Sequence, residues 1–87
     1  MKLSVNYKLN HIGNMYYVVP IHETTNKCVI ELNTYSAFLW QIFQEEQNDI
    51  DYIVDDYMKR FNVSEKIAKC DVHAFIDACS VNQLWES

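Results

Sequence analysis

The chain has 87 residues, 49% of them apolar, with a single glycine and a single proline, a composition that folds as one domain and leaves no room for a second. At roughly 0.05 to 0.15 kcal/mol per residue its net stability is on the order of 4 to 13 kcal/mol, a thin margin for a deep catalytic cleft and a better match to a binding module. The formal charge of −5 repels phosphate backbones. The acidity is uneven. Lys2, Lys8 and Lys27 against Glu23 and Glu31 leave +1 over residues 1–33, while the remainder carries four cations against ten carboxylates, or −6.

Taken in chain order, residues 2–10 alternate, with Leu3, Val5, Tyr7 and Leu9 on one side and polar residues on the other, which predicts a half-buried strand. Gly13-Asn14 follows, a pair suited to the tight turn between antiparallel strands. Residues 15–21 form a second strand, apolar on both faces, with Tyr16 and Tyr17 as ordinary strand aromatics. The polar residues 22–26 predict a second hairpin loop, and residues 27–32 a short third strand with Cys28, Ile30 and Leu32 on one side.

At Asn33, a favoured N-cap, the period changes. Tyr35, Phe38, Leu39, Ile42 and Phe43 make one apolar stripe of a first helix; Trp40 lies off that stripe, and two readings stand for it, an interface anchor or cover for the back of a small core. A second helix, capped near Asn48 or Asp49, carries Ile50, Ile53, Val54, Tyr57, Met58 and Phe61, with Asp51, Asp55, Asp56, Lys59 and Arg60 outward. The third helix, capped at Ser64 and running to about residue 82, has two apolar stripes. One is Ala68, Val72, Phe75, Ile76 and Cys79; the other is Ile67, Cys70, Ala74, Ala78 and Val81, about 120° away. Two readings of the second stripe stand open: a broad core face wedged against the sheet and the other helices, or a surface for a partner. Trp85 falls in a polar tail, where it is a candidate interface anchor.

Chemistry-bearing residues are sparse. His11, His22 and His73 have no metal-ligand spacing, and Cys28, Cys70 and Cys79 form neither a CxxC nor an even framework. On a shared helix Cys70 and Cys79 would stand about 13 Å apart, too far for a disulfide. Cys28 and Cys79 read as packed hydrophobes and not as nucleophiles, and Asp55 and Asp56 as a solvated face. No metal, cofactor or catalytic residue is expected. With no signal-like start, and a longest apolar run of seven residues that includes Pro20, a cytoplasmic protein without a membrane span is expected.

Three strands then three helices, with Leu32-Asn33 at the junction, Ala37-Phe38-Leu39-Trp40 in the first helix, Tyr57 and Phe61-Asn62-Val63-Ser64 closing the second, and Asp71-Val72, Phe75-Ile76 and Leu84 beyond, resembles the PqqD-like family, coenzyme PQQ synthesis protein D and its relatives, over nearly the whole chain. The resemblance implies an α+β, winged-helix-like domain, a three-stranded antiparallel sheet followed by three helices, spanning residues 1–87 and not catalytic. It implies recognition of the leader of a ribosomally made precursor peptide, which adds as a strand and is presented to a modifying enzyme such as a radical SAM protein, a protease or a cyclase, in PQQ synthesis or another peptide-modification pathway. Carried onto this sequence, Lys27, Cys28, Val29, Ile30, Glu31 and Leu32 would be the docking edge, with Lys27 and Glu31 as rim charges. Ile67, Cys70, Ala74, Ala78 and Val81 would be the apolar wall. A monomer or weak dimer is expected. The alternatives are a winged-helix nucleic-acid-binding domain, which Lys66 and Lys69 against Glu65, Asp71 and Asp77 serve poorly, and a homodimeric interaction domain using the second stripe.

Overall fold

The computed structural model describes residues 2–21, 29–45 and 48–86. Their elements are β1 (Tyr7–Ile12), β2 (Met15–Pro20), β3 (Ile30–Leu32), α1 (Thr34–Gln44), α2 (Ile50–Phe61) and α3 (Glu65–Val81). This is the expected α+β order, and the sheet runs β1-β2-β3, antiparallel throughout.

The register from Tyr7↔Pro20 to Ile12↔Met15 leaves Gly13 and Asn14 as a two-residue turn. Gly13 sits at φ 60, the positive angle that a tight hairpin requires at its first central position. A β-carbon there would meet nothing within 4 Å, so glycine is needed for its backbone angle and not for space. On the other side β2 pairs with β3 from Tyr16↔Leu32 to Val18↔Ile30.

The N-terminal strand is a correction. The alternation of residues 2–10 predicts one strand, but the chain turns at residues 5 and 6, where the Asn6 N–H donates to Ser4 Oγ at 3.2 Å and Val5 is 71% exposed. Leu3 is buried on the far side of that turn and bridges to Trp85, with the Ser4 N–H donating to the Leu84 carbonyl at 2.8 Å and the Glu86 N–H to that of Lys2 at 2.7 Å. Alternation therefore reported which side chains face inward at Leu3, Tyr7 and Leu9, and not which strand each pairs with. The second strand stops at Pro20 and the third is shorter than 27–32: Val29 is exposed and outside it. Lys27, Cys28 and the predicted loop over residues 22–26 lie outside the described residues.

Each helix begins on a side-chain cap, with Asn33 Oδ1 accepting from the Ser36 N–H at 2.8 Å, Asp49 Oδ1 from Tyr52 at 3.2 Å and Ser64 Oγ from Ile67 at 3.3 Å. Asn62, at φ 53, closes α2. The end of α3 is a Schellman motif: the Leu84 N–H reaches back to the Cys79 carbonyl at 2.9 Å and the Gln83 N–H to that of Ser80 at 3.2 Å, with Gln83 at φ 57. That reversal turns Leu84 into the core and lays Trp85 against Phe43 at a centroid distance of 5.3 Å, its indole N–H donating to the Ile76 carbonyl at 3.3 Å. Trp85 is thus half-buried and structural, not part of a polar tail.

The core sits between the sheet and the helices, around α1. Ala37, Leu39, Trp40, Ile42 and Phe43 are all buried, so α1 is covered on more than its single predicted stripe. Trp40 is 1% exposed, as its reading as core cover requires. Its indole N–H has no hydrogen-bond partner among the described residues, so its contribution is apolar bulk. From α2 come Ile53, Val54 and Tyr57, and from α3 Ala68, Val72, Phe75 and Cys79. No helix among the described residues is long and apolar enough to cross a membrane.

Candidate functional site

The first stripe of α3 is consumed by the core, whereas Ile67, Cys70, Ala74, Ala78 and Val81 are all exposed. The broad-core reading of the second stripe therefore fails. Opposite α3 stands β3, paired with β2 on one side and, among the described residues, with no strand on the other. An edge strand presents its outward N–H and C=O groups to whatever can pair with them.

Between β3 and α3 lies an open groove of about 290 Å³. Ile30, Leu32 and Asn33 form the strand side, and Ser36, Leu39 and Trp40 of α1 the floor. The helix side is Asp71, Ala74, Phe75, Ala78, Cys79 and Asn82, with Leu84 beyond it. Eleven residues of helix rise about 16 Å, the length of about five residues of extended chain.

Of the sequence-derived wall, Ala74 and Ala78 line this groove, and Ile67, Cys70 and Val81 do not. Helix geometry gives the reason. At about 100° per residue the lining positions of α3 fall between about −60° and +80° of Asp71, while Cys70 and Val81 lie at about −100° and −80°. Ile67 has a suitable angle but precedes Asp71 by one turn, about 6 Å along the axis. Of the strand residues, Ile30 and Leu32 face the groove; Glu31 is exposed, and with Leu32, Asn33, Asn14 and Met15 it borders a separate shallow hollow at the hairpin end of the sheet.

Sequence reasoning missed the polar and aromatic lining. Asp71 and Asn82 share the angular sector of Ala74 and Ala78, but a search for apolar stripes passes over them. Asp71 is held by Tyr57, whose hydroxyl donates to Asp71 Oδ2 at 2.6 Å. Burial, first, and then that bond and the carboxylate charge push the Tyr57 phenol well above its ordinary pKa. Tyr35, half-exposed at the start of α1, lies 6.5 Å from the Tyr57 ring and 4.6 Å from that of Phe61, and lines the same end of the groove.

One thiol, Cys79, and one carboxylate, Asp71, line the groove. The thiol of Cys79 is pushed up to about 12 by burial, so at neutral pH it is a protonated, packed side chain. Among the described residues no group of His, Cys, Asp and Glu side chains could hold a metal ion. The outward carboxylates of α2 and α3 make surface pairs, Lys59 with Asp55 and Lys69 with Glu65, both at 2.9 Å.

The fold and its groove define a small winged-helix-like α+β domain in which a strand edge, open among the described residues, faces a helix. The family model of coenzyme PQQ synthesis protein D (PqqD) matches residues 18–84, and the chain belongs to that family. No curated protein matches its sequence. Among solved structures it is similar to TbiB1, determined in complex with the TbiA(beta) leader peptide, at a TM-score of 0.82 and 20% identity over 100% of this chain and 96% of that one. At that identity the likeness is one of fold.

Proposed function

We propose that this protein is a non-catalytic recognition module that binds the leader of a ribosomally synthesised precursor peptide as an added strand on the free edge of β3, seated against α3. It then presents the precursor to a separate maturation enzyme, a radical SAM protein, a protease or a cyclase. The observation that carries this reading is the β3 edge, unpaired among the described residues, facing exposed Ala74 and Ala78 across an open, mostly apolar groove. Backbone pairing supplies affinity in such a mode, and alternate side chains entering the groove supply specificity. Family membership supports it, as does TbiB1, which has this fold and was determined with a leader peptide. Lys27, Cys28 and Val29 are proposed as part of the docking edge with Ile30–Leu32, and Lys27 and Glu31 as its rim charges. Action in the cytoplasm, as a monomer or weak dimer, belongs to the same proposal and agrees with the free thiols of Cys70 and Cys79.

Leader peptides of precursors encoded beside this gene, titrated by fluorescence anisotropy, test it. The expected result is saturable binding with new amide-exchange protection at residues 30–32; absence of binding at about 100 μM would count decisively against it. Ala78→Arg places a long cation in the groove from an exposed helical position. It should lower affinity at least about tenfold while changing stability by no more than about 0.5 kcal/mol.

A further inference from the structure

The groove is apolar along most of its length and carries one carboxylate, at the Asp71 end. Asp71 Oδ2 accepts the Tyr57 hydroxyl, and no basic side chain among the described residues is paired with this carboxylate. Its second oxygen thus has no protein donor among them, and Asp71 is itself only partly buried. A peptide strand seated between β3 and α3 would cover this end and take the carboxylate out of water. Burying a charge that keeps a single donor is costly unless the incoming group compensates it. An apolar side chain at that point leaves the cost standing. An acidic one adds repulsion, in a chain already at −5. A lysine or arginine completes an ion pair and lays its stem and charge against the half-exposed ring of Tyr35 at the same end of the groove.

Resting on the strand-docking reading above, we propose that Asp71 selects a lysine or arginine side chain of the bound peptide at the groove end flanked by Tyr35 and Tyr57. Tyr57 is the positioning residue: its hydroxyl fixes the carboxylate and leaves the other oxygen free for the guest.

The test is a random peptide display library selected in parallel on the whole protein and on Asp71→Asn, whose amide oxygen can still accept the Tyr57 hydroxyl. Peptides taken by the unaltered protein should share a Lys or Arg at one fixed offset from alternating apolar residues, and those taken by Asp71→Asn should keep the apolar pattern without it. Changing that Lys or Arg to Gln should weaken binding about tenfold or more to the unaltered protein and no more than about twofold to Asp71→Asn. Equal losses on both proteins, or no shared basic position, would overturn the role of Asp71 and leave strand docking intact. Selected peptides that bind Ala78→Arg as tightly as the unaltered protein would overturn both, because the groove would then not be the site.

Discussion

Removing one hydroxyl tests the organisation of the groove. In Tyr57→Phe the ring, fully buried between α1 and α3, keeps its packing, and only the 2.6 Å bond to Asp71 Oδ2 is lost. A hydrogen bond to a charged acceptor is worth about 1.5–3 kcal/mol. Asp71 borders an open groove and can recover a water, so the net loss should sit near the lower end, about 1–2 kcal/mol. For a domain of this size that corresponds to a fall in Tm of about 4–8 °C per kcal/mol. The pH dependence has a definite sign. The phenol pKa is raised in the folded state, so its stabilisation is full below the ordinary value near 10 and is lost as pH rises above it. Urea denaturation followed by tryptophan fluorescence at pH 7 and pH 10.5 should show the difference between Tyr57→Phe and the unaltered protein shrinking at the higher pH. A double-mutant cycle with Asp71→Ala, which removes the acceptor, should give a coupling of about 1 kcal/mol. A loss below about 0.3 kcal/mol at pH 7, or zero coupling, would refute the claim that this bond orders the groove.

Two further outcomes follow from the same structure. The Cys79 thiol, raised by burial from 9.0 to about 12, must stay protonated in the folded state, so it contributes to a decline in stability that begins as pH passes 9; in Cys79→Ala, equilibrium unfolding between pH 8 and 11 should show a flatter decline, and an unchanged slope would place that thiol in contact with water. Gln83 holds a left-handed φ of 57 at the Schellman turn, a conformation glycine adopts without strain, so Gln83→Gly should raise stability by about 0.5–1 kcal/mol in thermal melts; destabilisation would mean that the Gln83 side chain is needed there.

The order of elements was legible in the sequence because it rests on local physics. Asn33, Asp49 and Ser64 cap their helices through their own side chains. Gly13 permits its turn by its own backbone freedom, and the change from period 2 to period 3.6 at Asn33 marks where strand gives way to helix. The second stripe of α3 was visible too, but whether it was core or surface was not: Ala74 and Ala78 have the same side chain whether a helix or solvent lies opposite.

The fate of the two chain ends shows the complementary limit. Val5 and Leu3 have the same parity in the sequence, yet one is exposed and the other buried, because Leu3 pairs with Trp85 from the opposite end of the chain. No local pattern encodes that clasp; it depends on the reversal at Gln83, a residue type that does not advertise a left-handed turn. The site divides the same way. Local patterning is enough to require one short strand and one doubly apolar helix. It takes the packing of the whole chain to set them facing each other across a groove, to leave Ile67, Cys70 and Val81 outside it, and to bring Asp71 from α3 and Tyr57 from α2 together at its end. Residues 14 positions apart come within 2.6 Å through the packing of α2 on α3, and that packing is set by the core as a whole and not by either residue's neighbours in the chain.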